Sequence, residues 1–173
     1  MVDISKIIIE LFSSSKHEVG NFSCGYEALD NYIKSHAEGN ASRGLGRTFV
    51  AVTADEPTTI RGYYTLTAAQ AAKERLPKKA TRGLPGYPIP AILLARLAID
   101  KTAQGKGLGE ILLFDAFKRI FRGSYDFGIR IVLVDAIDEK AKNFYGKYGF
   151  IAFDDDPLKL FLPLKTIEAL ITE

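Results

Sequence analysis

The segment that most constrains the fold is a glycine-rich turn at residues 104–109, Gln-Gly-Lys-Gly-Leu-Gly. It follows an apolar run, Ala91 to Ile99, that predicts a strand. Apolar residues then recur at helical spacing, at Leu108, Leu112, Ala116 and Ile120. The first amides of a helix lack internal partners and carry partial positive charge, and glycines let an anion approach them. The pattern therefore predicts a strand–turn–helix unit whose natural ligand is a phosphate or pyrophosphate.

The sequence around the turn narrows the type of phosphate site. The turn is not a P-loop, because no Lys-Ser or Lys-Thr pair follows its glycines. It is also a poor dinucleotide fingerprint, since that motif belongs to a first strand–helix unit and this turn lies past the middle of the chain. From the turn alone, two interpretations stay open: a phosphate-binding turn, and a tight turn without a ligand.

Composition bounds the class of protein. The length of 173 residues suits one domain, residues 1–173, and no apolar stretch is long enough to span a membrane. The single cysteine, Cys24, excludes an internal disulfide and predicts a reducing, cytoplasmic compartment; it is either a nucleophile or a small residue near a helix start. Two histidines, His17 and His36, argue against a zinc site. The net charge of +2 is too small to indicate nucleic-acid binding by itself.

Hydrophobic periodicity and turn residues predict an α/β protein with a mixed central β-sheet and helices on both faces. The predicted strands are Ile7–Phe12, Thr48–Val52, Gly62–Thr67, Ala91–Ile99, Arg130–Asp135, Phe150–Phe153 and Leu158–Leu162. The predicted helices are Gly25–Ala37, Ala68–Leu76, Gly107–Phe121 and Lys140–Tyr148, the last ending before a capping Gly149. The predicted loops are Asn40–Gly46 and Pro77–Pro90, the second of which we expect to be mobile.

Two motifs carry a family resemblance. The pattern Gln-x-x-Gly-x-Gly after a strand ending at Asp100, and the later segment Phe144–Phe150, together resemble the GNAT N-acetyltransferases. The resemblance implies the GNAT fold and acetyl-CoA as acetyl donor. It implies that backbone groups of Leu97, Ala98 and Ile99 pair with the pantetheine arm. The amides that would hold the pyrophosphate belong to Gln104, Gly105, Lys106, Gly107, Leu108, Gly109 and Glu110. The side chain of Lys106 either adds a positive charge to the phosphate site or is a solvated loop lysine.

Tyr145 is the candidate catalytic residue. Acetyl transfer from a thioester expels a thiolate, and a nearby phenol can donate a proton to it. The resemblance assigns that role to a tyrosine at this position; the alternatives are that Tyr145 is a core residue or that Tyr148 is the acid. No general base stands out among the nearby carboxylates, which are Asp100, Glu110, Asp135, Asp138 and Glu139. An α-amine with a pKa of about 8 needs less help from a base than a lysine at about 10.4, so the weak base machinery favours an amine that is already largely neutral.

Further segments resemble a subfamily, the acetyltransferase toxins of bacterial type II toxin–antitoxin systems. They are Phe22–Gly25, Ala28–Asp30, Arg47–Val50, Gly62–Leu66, Ile89–Pro90 and Leu94–Asp100. The resemblance implies acetylation of the α-amine of aminoacyl-tRNA, arrest of translation, a homodimer and a ribbon-helix-helix antitoxin as partner.

Basic residues supply the candidate tRNA contacts. They are Arg47, Lys78, Lys79, Arg82 and Arg96. Clusters of this kind bind phosphates, but a solvated loop also carries them, and Arg96 would otherwise form a salt bridge within the sheet. Two rival functions stay open: a GNAT enzyme that acetylates a small-molecule amine or a protein N-terminus, and a non-catalytic binding protein that keeps the fold.

Overall fold

Seven strands form one mixed sheet in the computed structural model, which describes residues 2–173. The strands are β1 (Ile7–Leu11), β2 (Arg47–Thr53), β3 (Gly62–Ala71), β4 (Ile89–Ile99), β5 (Ile131–Asp135), β6 (Ile151–Ala152) and β7 (Lys159–Pro163). Their order in the sheet is β1-β2-β3-β4-β5-β7-β6. The β1–β2, β2–β3, β5–β7 and β6–β7 pairs are antiparallel, and β4 and β5 are parallel. The predicted mixed α/β sheet is therefore confirmed.

The helices connect and follow these strands. They are α1 (Glu27–Ser35), α2 (Ala37–Ser42), α3 (Lys78–Thr81), α4 (Leu108–Gly123), α5 (Glu139–Gly146) and α6 (Leu164–Thr172). Helix α4 has its apolar positions where the sequence predicted them: Leu108, Leu112 and Ala116 are all buried. No helix in residues 2–173 has the length and apolar composition needed to cross a membrane.

Contacts divide the chain into two compact units. Unit 1 contains Met1–Thr67 and Arg96–Ala116, and unit 2 contains Ala68–Ala95 and Phe117–Glu173. Within unit 1, Tyr63 of β3 stacks on Tyr32 of α1, with 6.2 Å between ring centroids. At the start of β3, Gly62 leaves no room for a side chain, because an added Cβ would lie 2.9 Å from Leu112 Cδ1. A residue without a Cβ is therefore required for close packing of α4 on the sheet.

Unit 2 has its own apolar core, made of residues 71, 76, 89, 91, 131, 153 and 161. Leu84 and Ala80 of the segment before β4 pack against this core. The segment that was predicted to be a mobile loop is thus attached through apolar side chains, and it contains the single-turn helix α3. The aromatic rings of Phe117 and Phe150 also stack here, at 6.1 Å between centroids.

Several predicted elements are wrong. The helix expected at Ala68–Leu76 is absent, because β3 continues to Ala71 and only residues 73–75 form a 3-10 turn. Alanine favours helices, but pairing within the sheet outweighs that local preference. The loop predicted from Asn40 begins inside α2. Helix α6, which follows Pro163, was not predicted at all.

Candidate active site

The glycine turn follows the C-terminal end of β4 and leads into α4. Gly105 and Gly107 have φ values of +75° and +85°, a region that L-residues rarely adopt. Their Cα atoms face open space, since an added Cβ would meet no atom within 4 Å at either glycine. The glycines are therefore needed for the backbone conformation rather than for close packing.

The backbone amides of the turn are available to a ligand. Among the described residues, Ile111 makes the first backbone bond of α4, to the Gly107 carbonyl at 3.3 Å. The amides of residues 104–110 donate to no backbone oxygen within residues 2–173. A row of unpaired N–H groups at the start of a sixteen-residue helix is an anion-binding arrangement.

A buried carboxylate fixes the base of the turn. Asp100 Oδ1 accepts hydrogen bonds from the Thr102 amide at 2.9 Å and the Thr102 hydroxyl at 2.6 Å. Asp100 Oδ2 accepts from the Ser23 amide at 3.0 Å, and the Lys101 amide donates to the Ser23 carbonyl at 2.8 Å. Burial opposes ionisation, but these hydrogen bonds outweigh it and hold the pKa of Asp100 below its ordinary value.

The side chains of Gln104 and Lys106 donate hydrogen bonds to backbone carbonyls of the protein. The Gln104 Nε2 group donates to the Cys24 carbonyl at 2.8 Å and to the Ile99 carbonyl at 2.9 Å. Lys106 Nζ donates to the Thr102 carbonyl at 3.1 Å from an exposed position. The Leu108 side chain is buried in the core, while Glu110 is exposed. The structure thus leaves mainly the backbone of this segment for a ligand.

The strand before the turn also has backbone groups outside its parallel ladder. The ladder between β4 and β5 pairs Ala91–Leu94 with Ile131–Val134 and ends there, although β4 continues to Ile99. The backbone of Leu97, Ala98 and Ile99 therefore lies beyond the residues that β5 pairs. The Ile99 carbonyl is taken by Gln104, as described above.

Cys24 is a structural residue. It is 5% exposed, its amide donates to Asp30 Oδ1 at 2.8 Å, and its thiol donates to the Tyr26 carbonyl. Burial raises the pKa of the thiol to about 11, so almost no thiolate exists at neutral pH. Of the two interpretations of this cysteine, the structure supports the small buried residue rather than the nucleophile.

Tyr145 occupies the last turn of α5 in an aromatic setting. Its ring packs edge-on against Phe144 at 5.2 Å and Phe150 at 5.4 Å between centroids, and the residue is 6% exposed. Its hydroxyl makes no hydrogen bond to any residue that the structure describes. Burial alone raises the pKa of this phenol, so it is fully protonated at neutral pH. Tyr148 packs on Phe144 at 5.4 Å and is half-buried.

None of the five carboxylates considered as a general base stands out in the structure, since two accept structural hydrogen bonds and three are exposed. Asp138 caps α5, accepting from the Ala141 amide at 2.8 Å, and Asp100 serves the turn. Glu110, Asp135 and Glu139 are exposed. No group of three His, Cys, Asp or Glu side chains converges anywhere in residues 2–173.

The structure separates the basic residues around α3 into two kinds. Arg75 pairs with Asp155 at 3.0 Å and stacks over Phe153 at 4.9 Å, and Lys73 donates to the Leu84 carbonyl. These two residues attach the segment to the rest of unit 2. The remaining three, Lys78, Lys79 and Arg82, are exposed and line a depression of about 550 Å³ together with Lys73 and Thr81.

The other two candidate tRNA residues lie in unit 1. Arg47 is exposed and donates to the Ala41 carbonyl near the end of α2, where a cation is favourable. Arg96 stacks over the Tyr32 ring, with its guanidinium carbon 3.6 Å from the ring centroid. The salt bridge considered for Arg96 is replaced by this cation–π contact.

Sequence reasoning missed the anchoring role of Asp100 and Gln104. It treated Asp100 only as a poor candidate base, although an Asp two residues before a Thr is a recognisable capping pattern. No sequence signal would have found the bonds to Ser23 and Cys24, because these residues lie about eighty positions away in the chain.

Comparison with known proteins defines the class. Residues 44–152 match the acetyltransferase (GNAT) domain family, and this chain belongs to that family. A curated relative, the tRNA-acetylating toxin of Mycobacterium tuberculosis, is 37% identical over 91% of this chain and 93% of its own.

Solved structures agree with this assignment. A tyrosine-to-phenylalanine mutant of KacT superposes with a TM-score of 0.90, at 34% identity, over 95% of this chain and 99% of its own. AtaT complexed with acetyl-methionyl-tRNAfMet gives a TM-score of 0.87 at 31% identity, over 95% and 98% of the two chains. A tyrosine-to-phenylalanine mutant of the toxin AtaT, bound to the C-terminus of the antitoxin AtaR and acetyl-CoA, gives 0.82 at 29% identity, over 97% and 99%.

The role of Asp100 predicts a pH-dependent stability. Because the folded pKa lies below the unfolded one, the unfolded chain binds the extra proton, and the stabilisation is complete above the unfolded pKa of about 3.8. It is lost as the pH falls through the lower folded pKa.

Asp100→Asn should reduce the free energy of unfolding at pH 7 by about 1–3 kcal/mol, because an amide N–H would then face the Ser23 amide. Urea denaturation measures this.

The exposed Asp154→Asn variant is the matched control, and it should change the free energy of unfolding by less than about 0.5 kcal/mol. Equal stabilities for the two variants at pH 7 would show that the Asp100 hydrogen bonds do not hold the turn.

Proposed function

We propose that this protein is an acetyl-CoA-dependent N-acetyltransferase that acetylates the α-amine of aminoacyl-tRNA and thereby blocks translation. The observation that carries the proposal is the turn at residues 104–110, where two glycines with positive φ present unpaired amides at the start of α4. Two relatives that match almost the whole chain, a tRNA-acetylating toxin and AtaT complexed with acetyl-methionyl-tRNAfMet, support aminoacyl-tRNA as the acceptor of the acetyl group. The whole chain, residues 1–173, acts as one catalytic domain in this proposal.

Acetyl-CoA is held through the backbone. The amides of Gln104, Gly105, Lys106, Gly107, Leu108, Gly109 and Glu110 bind the pyrophosphate. The ammonium group of Lys106 leaves the Thr102 carbonyl to add a charge to it. Leu97, Ala98 and Ile99 contribute strand-like hydrogen bonds to the pantetheine arm, although the Ile99 carbonyl already accepts a hydrogen bond from Gln104.

Tyr145 supplies the proton for the leaving group. The neutral α-amine attacks the thioester carbonyl carbon, a C–N bond forms, and the C–S bond breaks with its electron pair on sulfur. The Tyr145 hydroxyl donates its proton to that sulfur, and the phenolate recovers a proton from the new ammonium group through solvent. Burial raises the pKa of this phenol, so the hydroxyl carries its proton at the start of the step.

An α-amine as acceptor is consistent with the finding that no candidate carboxylate stands out as a general base. Asp100 and Asp138 already accept hydrogen bonds from backbone amides, so neither is free to deprotonate a substrate. An α-amine has a pKa of about 8 and an aminoacyl ester a lower one, so much of the substrate is neutral without help. A lysine side chain, with a pKa of about 10.4, would depend on a general base much more strongly.

Exposed cations bind the tRNA backbone. Lys78, Lys79 and Arg82 line an open depression without an ion-pair partner in the described part of the chain. Arg47 and Arg96 are secondary contacts, since both already interact with neighbouring groups. We further propose a homodimer, a ribbon-helix-helix antitoxin as its partner, and a cytoplasmic site of action.

Replacing Gly107 tests the phosphate site. Gly107→Glu places a carboxylate where the pyrophosphate binds and strains a position with φ of +85°, so acetyl-CoA affinity measured by calorimetry should fall at least about tenfold. Gly44→Glu is a matched control, because Gly44 also has a positive φ and open space around it. Wild-type affinity in a folded Gly107→Glu variant would mean that the turn has no ligand.

Replacing Tyr145 tests the acid. Tyr145→Phe removes one oxygen and keeps the ring against Phe144 and Phe150, so folding and acetyl-CoA affinity should persist. The turnover number should fall by roughly 10²–10⁴, the range for a positioned acid. Tyr148→Phe is the control and should retain most of the activity. The acid role is refuted if Tyr145→Phe transfers acetyl at the wild-type rate.

Reversing charges tests the tRNA surface. The triple variant Lys78→Glu, Lys79→Glu, Arg82→Glu should bind tRNA more weakly, and the slope of log K against log salt should decrease by roughly two to three. Acetyl-CoA affinity should not change. A variant with Lys140, Lys147 and Lys165 changed to Glu alters the net charge equally at other exposed positions and serves as the control. Equal salt slopes in the two triple variants would contradict this surface.

A further inference from the structure

The loop between α4 and β5 exposes two large aromatic side chains. Tyr125 is 79% exposed and Phe127 is 71% exposed, and both lie in the short connection between α4 and β5. Scattered exposed apolar residues are ordinary, but two exposed aromatic rings within three positions form a candidate contact surface. We call residues 124–130 the aromatic loop.

The aromatic loop is held in a defined conformation. The amides of Asp126 and Phe127 both donate to the Gly123 carbonyl, at 3.0 and 2.9 Å. The Tyr125 ring rests edge-on against Phe121, with 5.6 Å between centroids and 78° between the ring planes. This contact covers one edge of the tyrosine ring and leaves most of its surface open to a partner.

Basic residues are concentrated in the sequence on either side of these rings. Residues 117–130 contain four basic residues, Lys118, Arg119, Arg122 and Arg130, against one acidic residue. Lys118, Arg122 and Arg130 are exposed. Cations interleaved with open aromatic faces match single-stranded nucleic acid, whose bases stack on rings while its phosphates meet the charges. An apolar protein partner would instead favour a surface with fewer charges at its centre.

The aromatic loop lies at the same edge of the sheet as the basic segment around α3. The Arg130 amide donates to the Pro90 carbonyl at 2.9 Å, and the next residues, Ile131 and Ala91, pair in the parallel β4–β5 ladder. Neighbouring parallel strands begin at the same edge. The loop that ends at Arg130 and the segment that leads to Ile89 therefore enter the sheet side by side within unit 2.

We propose that the aromatic loop is a second RNA contact, at which Tyr125 and Phe127 stack on unpaired bases of the tRNA and Arg122 and Arg130 bind the adjoining phosphates. This proposal rests on the proposed function, because the RNA in question is the acceptor substrate. It adds a contact of a different chemistry to the depression lined by Lys78, Lys79 and Arg82.

The first arm of the test measures tRNA affinity by fluorescence anisotropy over a range of salt concentrations, with the full chain and uncharged tRNA as the probe. Tyr125→Ala with Phe127→Ala should weaken binding by roughly thirtyfold or more, as expected for the loss of two stacked bases, and should leave the salt slope unchanged. Arg130→Gln should lower the salt slope by about 0.7–0.9, since one phosphate contact is removed. The single variant Tyr125→Phe keeps an aromatic ring for stacking at position 125 and should therefore bind tRNA with wild-type affinity.

Leu11→Ala removes another large exposed apolar side chain, at 56% exposure, and controls for nonspecific effects. Wild-type tRNA affinity in the Tyr125→Ala, Phe127→Ala variant overturns the proposal. So does a variant that binds tRNA normally but changes its oligomeric state in sedimentation, because the rings would then contact a second protein chain.

The second arm separates this proposal from the proposed function. With charged tRNA as substrate, the aromatic-loop variant should show a raised KM for tRNA and an unchanged KM for acetyl-CoA. If the wild type binds tRNA but transfers no acetyl group to it, the proposed function fails, while the anisotropy measurements still decide whether the aromatic loop binds RNA.

Discussion

The Asp100 carboxylate is the interaction on which the candidate site depends. A glycine turn has few side chains of its own to hold it, and its two positive-φ residues are compatible with many backbone conformations. Asp100 fixes the start of the turn by accepting hydrogen bonds from Thr102 and Ser23, and Gln104 fixes the next step through the Cys24 and Ile99 carbonyls. Because these anchors use side chains, the backbone amides that follow remain unpaired and ready for an anion.

The basic residues around α3 likewise fall into two groups: some hold the structure together, and others remain exposed for a ligand. Arg75 and Lys73 hold the segment around α3 in place, through Asp155 and the Leu84 carbonyl. Their neighbours Lys78 and Lys79 are left exposed on a segment that is fixed in position. A cation that is already ordered on a rigid element loses less entropy when it binds a phosphate than one on a flexible loop.

The sequence predicted the parts of the fold that depend on local patterns. Helical spacing located α4. The last predicted helix ends at Gly146 with Lys147 as its C-cap, so the predicted end at Tyr148 and the cap at Gly149 are wrong, although Gly149 has a φ of +94°. Sequence reasoning failed where pairing in the sheet overrides local preference, as in the extension of β3 to Ala71. It also could not find the partners of Asp100, because contacts between residues distant in the chain follow from the fold and leave no local pattern.

In the proposed reaction, the acetyl group goes to the α-amine of an amino acid esterified to tRNA. The protein should be incubated with labelled acetyl-CoA and a mixture of charged tRNAs, and the ester then cleaved with mild base. We expect the label to leave the tRNA with the amino acid, as an N-acetyl amino acid identified by mass spectrometry. Label that stays on the tRNA after ester cleavage, or that appears only on added polyamines or peptides, would contradict it.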